Sequence, residues 1–272
     1  MEKDEIKRLE IRAGKIRHLV FETIGKAGAG HTGGSLSWVE VGTVLYFHIL
    51  KIDPKNPKWP ERDRFILSKG HSSPTLYCCL AERGYFPPEK LDEFDRVNGM
   101  LQGHPCMLKT PGVDISTGSL GQGLSAGIGM ALGGKSRGWD FRVYVVLGCG
   151  EIQEGQIWEA AMFSGFHKID RLTAILDYNK VQLTSRMNDT LGLEPLREKW
   201  ESFGWEVLEA DGHSIKEIVE VLEQAKQIKG KPSLVIAHTI KGKGISFAEG
   251  RAEWHARAPN KEEMEKGLKE LE

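Results

Sequence analysis

Apolar residues recur at three- and four-residue steps through Ile6, Leu9, Ala13, Ile16, Val20 and Ile24, the spacing that lines one face of an α-helix. Gly28 and Gly30 end that run, and a second helix-like stretch follows from Trp38 to Leu50. Asp53 to Pro60 carries three prolines and reads as a loop. From there short strands and helices alternate. The pattern predicts strands at Arg64–Ser68, Phe141–Leu147, Leu172–Tyr178, Trp205–Glu209 and Ser233–Ile240. It predicts helices at Pro74–Tyr85, Gly121–Leu132, Gln156–His167, Glu194–Phe203 and Ile215–Ile228. Ser214 stands as N-cap to the last of these, with Ile215, Ile218, Val219 and Leu222 on one face. Val143–Leu147 and Leu234–Ala237 are uninterrupted apolar runs, as in strands covered on both faces. The alternation predicts an α/β fold, a doubly wound and mostly parallel sheet with helices on both faces. Such sheets bind ligands in the loops beyond the carboxyl ends of their strands. Pro259-Asn260 opens a charged final helix, expected to be solvated or to lie in an interface.

Composition narrows the function classes. The 272 residues suit one large domain spanning 1–272, with neither internal repeats nor low-complexity segments. Lys plus Arg (37) balance Asp plus Glu (38), so no global basic field points to nucleic acid. Met1-Glu-Lys-Asp-Glu lacks the basic-then-apolar pattern of a signal peptide. The best apolar run, Val44 to Leu50, is broken by His48 and falls far short of the roughly 20 residues that span a bilayer. Neither a membrane nor a nucleic-acid partner is expected. Cys78, Cys79, Cys106 and Cys149 form no C-x-x-C pair, so reduced thiols in a cytoplasmic protein are the expectation. The 32 glycines exceed the usual ~7% and gather in a few loops beside histidines.

Three constellations could carry chemistry. Gly129 to Ser136 fits the phosphate-cradling pattern G-x-x-x-x-G-K-[ST], but it closes a small-residue helix and precedes a strand. A working P-loop leaves a strand and opens a helix, so this match reads as a glycine-rich helix end. The second is the turn Gly148-Cys149-Gly150-Glu151-Ile-Gln-Glu154-Gly155, between the strongest strand and a helix. Its glycines and the helix N-terminus suit a phosphate group. A dinucleotide turn is one reading, with Asp177 as its ribose-binding acid. Glu151 and Glu154 would repel a bare pyrophosphate, which favours a metal-bridged diphosphate. Third, His31, His71, His104 and His213 each follow a glycine, the first three in predicted loops. Imidazoles so placed can donate to phosphates or hydroxyls and move protons near neutral pH. His18, His48, His167, His213 and His238 read as structural.

Together these residues resemble the N-terminal half of transketolase, the thiamine-diphosphate enzymes that move two-carbon ketol units between sugar phosphates. That family's signature, G-D-G followed about thirty residues later by asparagine, is matched by Gly148-Cys149-Gly150 and Asn179. Gly30-His31-Thr-Gly-Gly-Ser35, Ser68-Lys-Gly-His71, Gly103-His104-Pro, Thr117 to Gly123, Glu154-Gly155, Trp158-Glu-Ala160, Lys241 to Gly244 and His255 also match. The likeness runs from about Gly28 to Pro259. It implies that His71 and His255 contact the cofactor diphosphate region, that Gly150 approaches the diphosphate and that Lys241 lies over it. Gly118, Ser119 and Leu120 would approach the aminopyrimidine. Asn179 would hold both metal and diphosphate, and the Val181 carbonyl would hold the metal, which in this family is Mg²⁺ or Ca²⁺. His31 and His104 would hydrogen-bond donor-sugar hydroxyls and assist proton transfer. Glu154 would reach a partner's cofactor-activating glutamate.

Two departures from the family pattern follow. Transketolase-like chains that act alone are much longer, and include a pyrimidine-binding domain and the glutamate that activates the cofactor. The likeness therefore implies the separate N-terminal subunit of a split transketolase, working with a C-terminal subunit in an assembly of two plus two. Cys149 stands where the family has a metal-ligand aspartate. Hard Mg²⁺ and Ca²⁺ prefer oxygen ligands whereas thiolate favours softer ions, so the substitution weakens Mg²⁺ unless Glu151 supplies the missing carboxylate. A deoxyxylulose-phosphate-synthase-like half, a non-catalytic subunit that stabilises its partner, and a nicotinamide dehydrogenase are the other readings.

Overall fold

The computed structural model describes residues 3–272. Its described residues form a five-stranded, all-parallel sheet in the order β1-β2-β3-β5-β4. The strands are β1 (Arg64–Leu67), β2 (Val143–Gly148), β3 (Leu172–Tyr178), β4 (Glu206–Asp211) and β5 (Ser233–His238). Every residue of β2 and β3 is buried, which accounts for their near-continuous apolar sequence. Successive side chains enter opposite cores. Tyr144 and Val146 join a cluster that includes residues of helices α1 (Lys3–Ala27), α3 (Val39–Val44), α4 (Ser73–Arg83) and α8 (Ile215–Gln227). Val143, Val145 and Leu147 join the other, with α5 (Gln122–Ser136), α6 (Gly155–Phe166) and α7 (Leu196–Ser202). The period of two places helices on both faces, as the alternation predicts.

Several elements differ from the pattern-based expectation. Gly28 to Ser35, expected as a loop, contains a wholly buried short helix α2 (Thr32–Leu36). Two glycines give it poor intrinsic helicity. Close packing explains their presence, because a Cβ on Gly33 would lie 2.9 Å from both Lys241 Cγ and the Trp254 carbonyl. The Trp38–Leu50 helix is α3 followed by a π-helical turn over Leu45–Ile49. α5 runs on to Ser136, so the P-loop-like match lies inside a helix and cannot cradle phosphate. The final helix α9 (Lys261–Glu270) begins with a capping box between Asn260 and Glu263. It is not free of the core: Gly267 packs against Phe21, and Met264 against Gly25, both on α1. All four cysteines are free thiols. No described helix is long and apolar enough to cross a membrane.

Candidate active site

The register of β2 and β3 pairs Gly148 with Asp177, so the turn after β2 and the segment after β3 leave the sheet side by side. This brings Cys149 Sγ to 3.5 Å from Asn179 Oδ1, although thirty positions separate them in sequence. The loop after β1 adds Lys69 and His71, and the loop after β5 adds Lys241. Together with Gly34, Leu120, Gly150, Glu151, Val181, Gln182 and His255, these residues line a cavity of about 270 Å³ at the carboxyl edge of the sheet. His31 joins its rim, with ring centroids 5.1 Å from His71 and 5.6 Å from His255. His104 lies 6.2 Å from His31. Gly118, at φ 152, packs beside it, since a Cβ there would meet His104 Cδ2 at 3.3 Å.

Buried charge organises the floor. Lys69 Nζ donates to Asp177 Oδ2 at 2.5 Å and to the Gly34 carbonyl at 2.9 Å. Ser37 and Thr239 also donate to the Asp177 carboxylate, and Asn179 Nδ2 reaches it at 3.0 Å. Burial opposes ionisation of Asp177, yet Lys69 and the two hydroxyls outweigh it and hold the carboxyl below its usual range. Lys241 Nζ donates to the carbonyls of Val181 at 3.2 Å and Gln182 at 3.1 Å, and lies 2.7 Å from His255 Nδ1. Burial lowers this lysine to about 8. Burial, reinforced by the neighbouring lysines, pushes His71 well down and His255 down to about 3. His31 is also lowered, by burial and then by His104. Neutral imidazoles that both donate and accept therefore face a cationic floor, an arrangement suited to a polyanion carrying a hydroxylated substrate.

The structure brings together His71, Leu120, Cys149, Gly150, Asn179, Val181, Lys241 and His255 in one cavity, with His31 and His104 at its mouth. Ser119 and Glu154 do not line it; both are exposed, Glu154 at the start of α6. Glu151 does line the cavity but cannot stand in for the missing metal-ligand aspartate. Its Oε1 accepts from Ser68 Oγ and the Gly121 amide, and its Oε2 from the Gly148 amide at 2.9 Å. The carboxylate thus ties three loops together, and burial raises its pKa. The sequence reading missed Lys69, whose only signal is its place in Ser68-Lys-Gly-His71. Asp177, which the competing dinucleotide turn would use as its ribose-binding acid, is instead a buried partner of Lys69. Among the five other histidines, His213 bonds Glu40 at 2.9 Å, His48 bonds Glu5 at 2.9 Å and His238 bonds Glu209 at 2.7 Å.

Thiamine diphosphate fits this chemistry. Lys241, His71 and His255 offer donors to a diphosphate, and Gly150 leaves its approach clear, since a Cβ there would crowd Gln182 at 3.2 Å. For a divalent ion the available donors are the Asn179 carboxamide, the Val181 carbonyl and the Cys149 sulfur. No cluster of three or more His, Cys, Asp or Glu is arranged for a metal among the described residues.

The comparisons with known proteins agree with this geometry. Residues 9–271 match the family model "Transketolase, thiamine diphosphate binding domain". The chain is 51% identical to 6-deoxy-6-sulfo-D-fructose transketolase subunit SqwG of Clostridium sp. (strain MSTE9), covering 97% of this chain and 96% of that one. It is 47% identical to one of the apulose-4-phosphate transketolase subunits of Actinobacillus succinogenes, covering 97% and 95% respectively. Among solved structures, transketolase from Campylobacter jejuni superposes with a TM-score of 0.92 at 34% identity, over 100% of this chain but 43% of that one. A likeness this extensive in sequence and fold settles the relationship: the chain belongs to the transketolase thiamine-diphosphate-binding domain family.

Proposed function

We propose that this chain is the N-terminal subunit of a two-component transketolase, a transferase moving a two-carbon ketol unit from a ketose phosphate to an aldose phosphate. The observation that carries this reading is the convergence of Lys241, His71, His255 and Asn179 around Gly150 in one cavity, with His31 and His104 at its mouth. His71, His255 and Lys241 hold the diphosphate, and Gly150 lets it approach. Gly118, Ser119 and Leu120 flank the aminopyrimidine. Asn179 and the Val181 carbonyl, with Cys149, hold the divalent ion. Bound there, thiamine diphosphate supplies the carbanion chemistry, and the protein supplies position and protons. His31 and His104 hydrogen-bond the donor hydroxyls and exchange protons with them, a task suited to imidazole side chains.

The chain works with a C-terminal subunit, two copies of each, and residues 1–272 act as the diphosphate-binding domain. That partner carries the pyrimidine-binding domain and the glutamate to which Glu154 reaches. The full-length match to relatives named as transketolase subunits supports this. So does the face on which Leu132, Met162, Phe163 and Phe166 of α5 and α6 are exposed, an apolar grouping that a partner would cover. Free thiols and a near-neutral charge balance suit a cytoplasmic enzyme. Assaying ketol transfer with the chain alone, then with its partner, tests the proposal. Negligible turnover alone and full turnover in the complex are expected, and turnover by the lone chain would refute it.

A further inference from the structure

We propose that the cation site selects a thiophilic divalent ion of the Zn²⁺ and Co²⁺ class over Mg²⁺, with the Cys149 sulfur as a direct ligand. This rests on the diphosphate site proposed above and assigns its metal. The geometry suits adjacent ligands of one ion. Metal–sulfur and metal–oxygen bonds of about 2.3 Å and about 2.1 Å, at a tetrahedral angle, separate the two donors by about 3.6 Å. Cys149 Sγ and Asn179 Oδ1 stand 3.5 Å apart, joined here by a hydrogen bond from the thiol whose proton the ion would replace. The carboxamide is already aimed, because its Nδ2 donates to Asp177 at 3.0 Å and its Oδ1 accepts the Val181 amide at 3.1 Å. Outer contacts of this kind fix a ligand's orientation before the metal arrives.

The carboxylates that would favour a hard ion are committed elsewhere. Glu151 is bound by Ser68 and by the amides of Gly121 and Gly148. Asp177 is bound by Lys69, Ser37, Thr239 and Asn179. The protein thus offers one sulfur, one carboxamide and the Val181 carbonyl, whose second lone pair is left after it accepts from Lys241, with no free carboxylate lining the cavity among the described residues. Mg²⁺ gains little from such a set, whereas a borderline ion gains a strong sulfur bond.

The test uses the complex of this chain with its partner subunit, stripped by chelator and titrated with Co²⁺ in the presence of thiamine diphosphate. A sulfur-to-cobalt charge-transfer absorption is expected in the parent and absent in Cys149→Ser and Cys149→Asp. Cys149→Asp should also tighten Mg²⁺, read by calorimetric titration, by at least the roughly ten-fold that even an outer ligand contact commands. Circular dichroism checks that each variant folds, and the parent's own spectrum stands if one does not. Cobalt bound without that absorption, or Mg²⁺ affinity unchanged by the aspartate, overturns the inference while leaving the cofactor site intact. Thiamine diphosphate bound equally tightly after chelation overturns it too, since Lys241 would then carry the charge alone. No thiamine diphosphate binding with any ion would sink the proposed function itself.

Discussion

Lys69 and Asp177 show how a site of this kind depends on charges paired with one another at the floor of its cavity. The pair is almost wholly buried, and removing one partner strands the other in a low-dielectric interior. Asp177→Asn is expected to cost about 3–5 kcal/mol in urea unfolding of the lone chain. It also frees Asn179, which Asp177 now orients. The histidines set a second expectation. Folding depresses the pKa of His71, His255 and His31, so below about pH 6.5 the unfolded chain binds protons that the folded chain refuses. Their contribution is therefore lost as pH falls from about 6.5, and for His255 the loss continues toward its folded value of about 3. Each of these half-buried imidazoles adds a slope below about 1.4 kcal/mol per pH unit. A His71→Gln variant should lose less thermal stability than the parent between about pH 7 and about pH 5. An equal loss in both would show that His71 folds already solvated.

At the scale of elements, glycine positions separate packing from propensity. A Cβ on Gly165 of α6 would lie 1.7 Å from the Phe203 carbonyl, which is backbone and cannot swing aside. Gly165→Ala should therefore destabilise by about 1–3 kcal/mol despite better helix propensity. Gly129 and Gly133 of α5 have nothing within 4 Å, so alanine at either should stabilise the lone chain by up to about 1 kcal/mol. Denaturant melts of the three variants check the contrast. The same distinction explains what could be read in the sequence. The sheet strands and α8 follow from a period of two, a period of 3.6 and a cap, which are local signals. α2 escapes such a reading because two glycines argue against a helix locally, while Lys241, Trp254 and Ser72 decide the matter from distant segments.

For the molecule as a whole, the exposed apolar face of α5 and α6 carries the prediction. Phe166 is 79% exposed, so Phe166→Asp should change the lone chain's stability by no more than about 0.5 kcal/mol. In sedimentation of the mixed subunits it should weaken association, and unchanged assembly would place the partner elsewhere. The sequence by itself determined the α/β class, the edge of the sheet at which the candidate cavity lies and half of the residues that line it. Strand period and glycine-rich turns are short-range properties, and the spacing from Gly148 to Asn179 spans one helix and one strand, α6 and β3. Only the tertiary structure decided which carboxylates are free. Glu151 and Asp177 lie as near the cavity as Cys149 does, yet backbone amides, hydroxyls and Lys69 from other loops engage them. Hydrogen-bond partners that are dozens of residues away leave no periodic trace in the chain, so which side chains around Cys149 are already engaged became legible only once the loops were brought together.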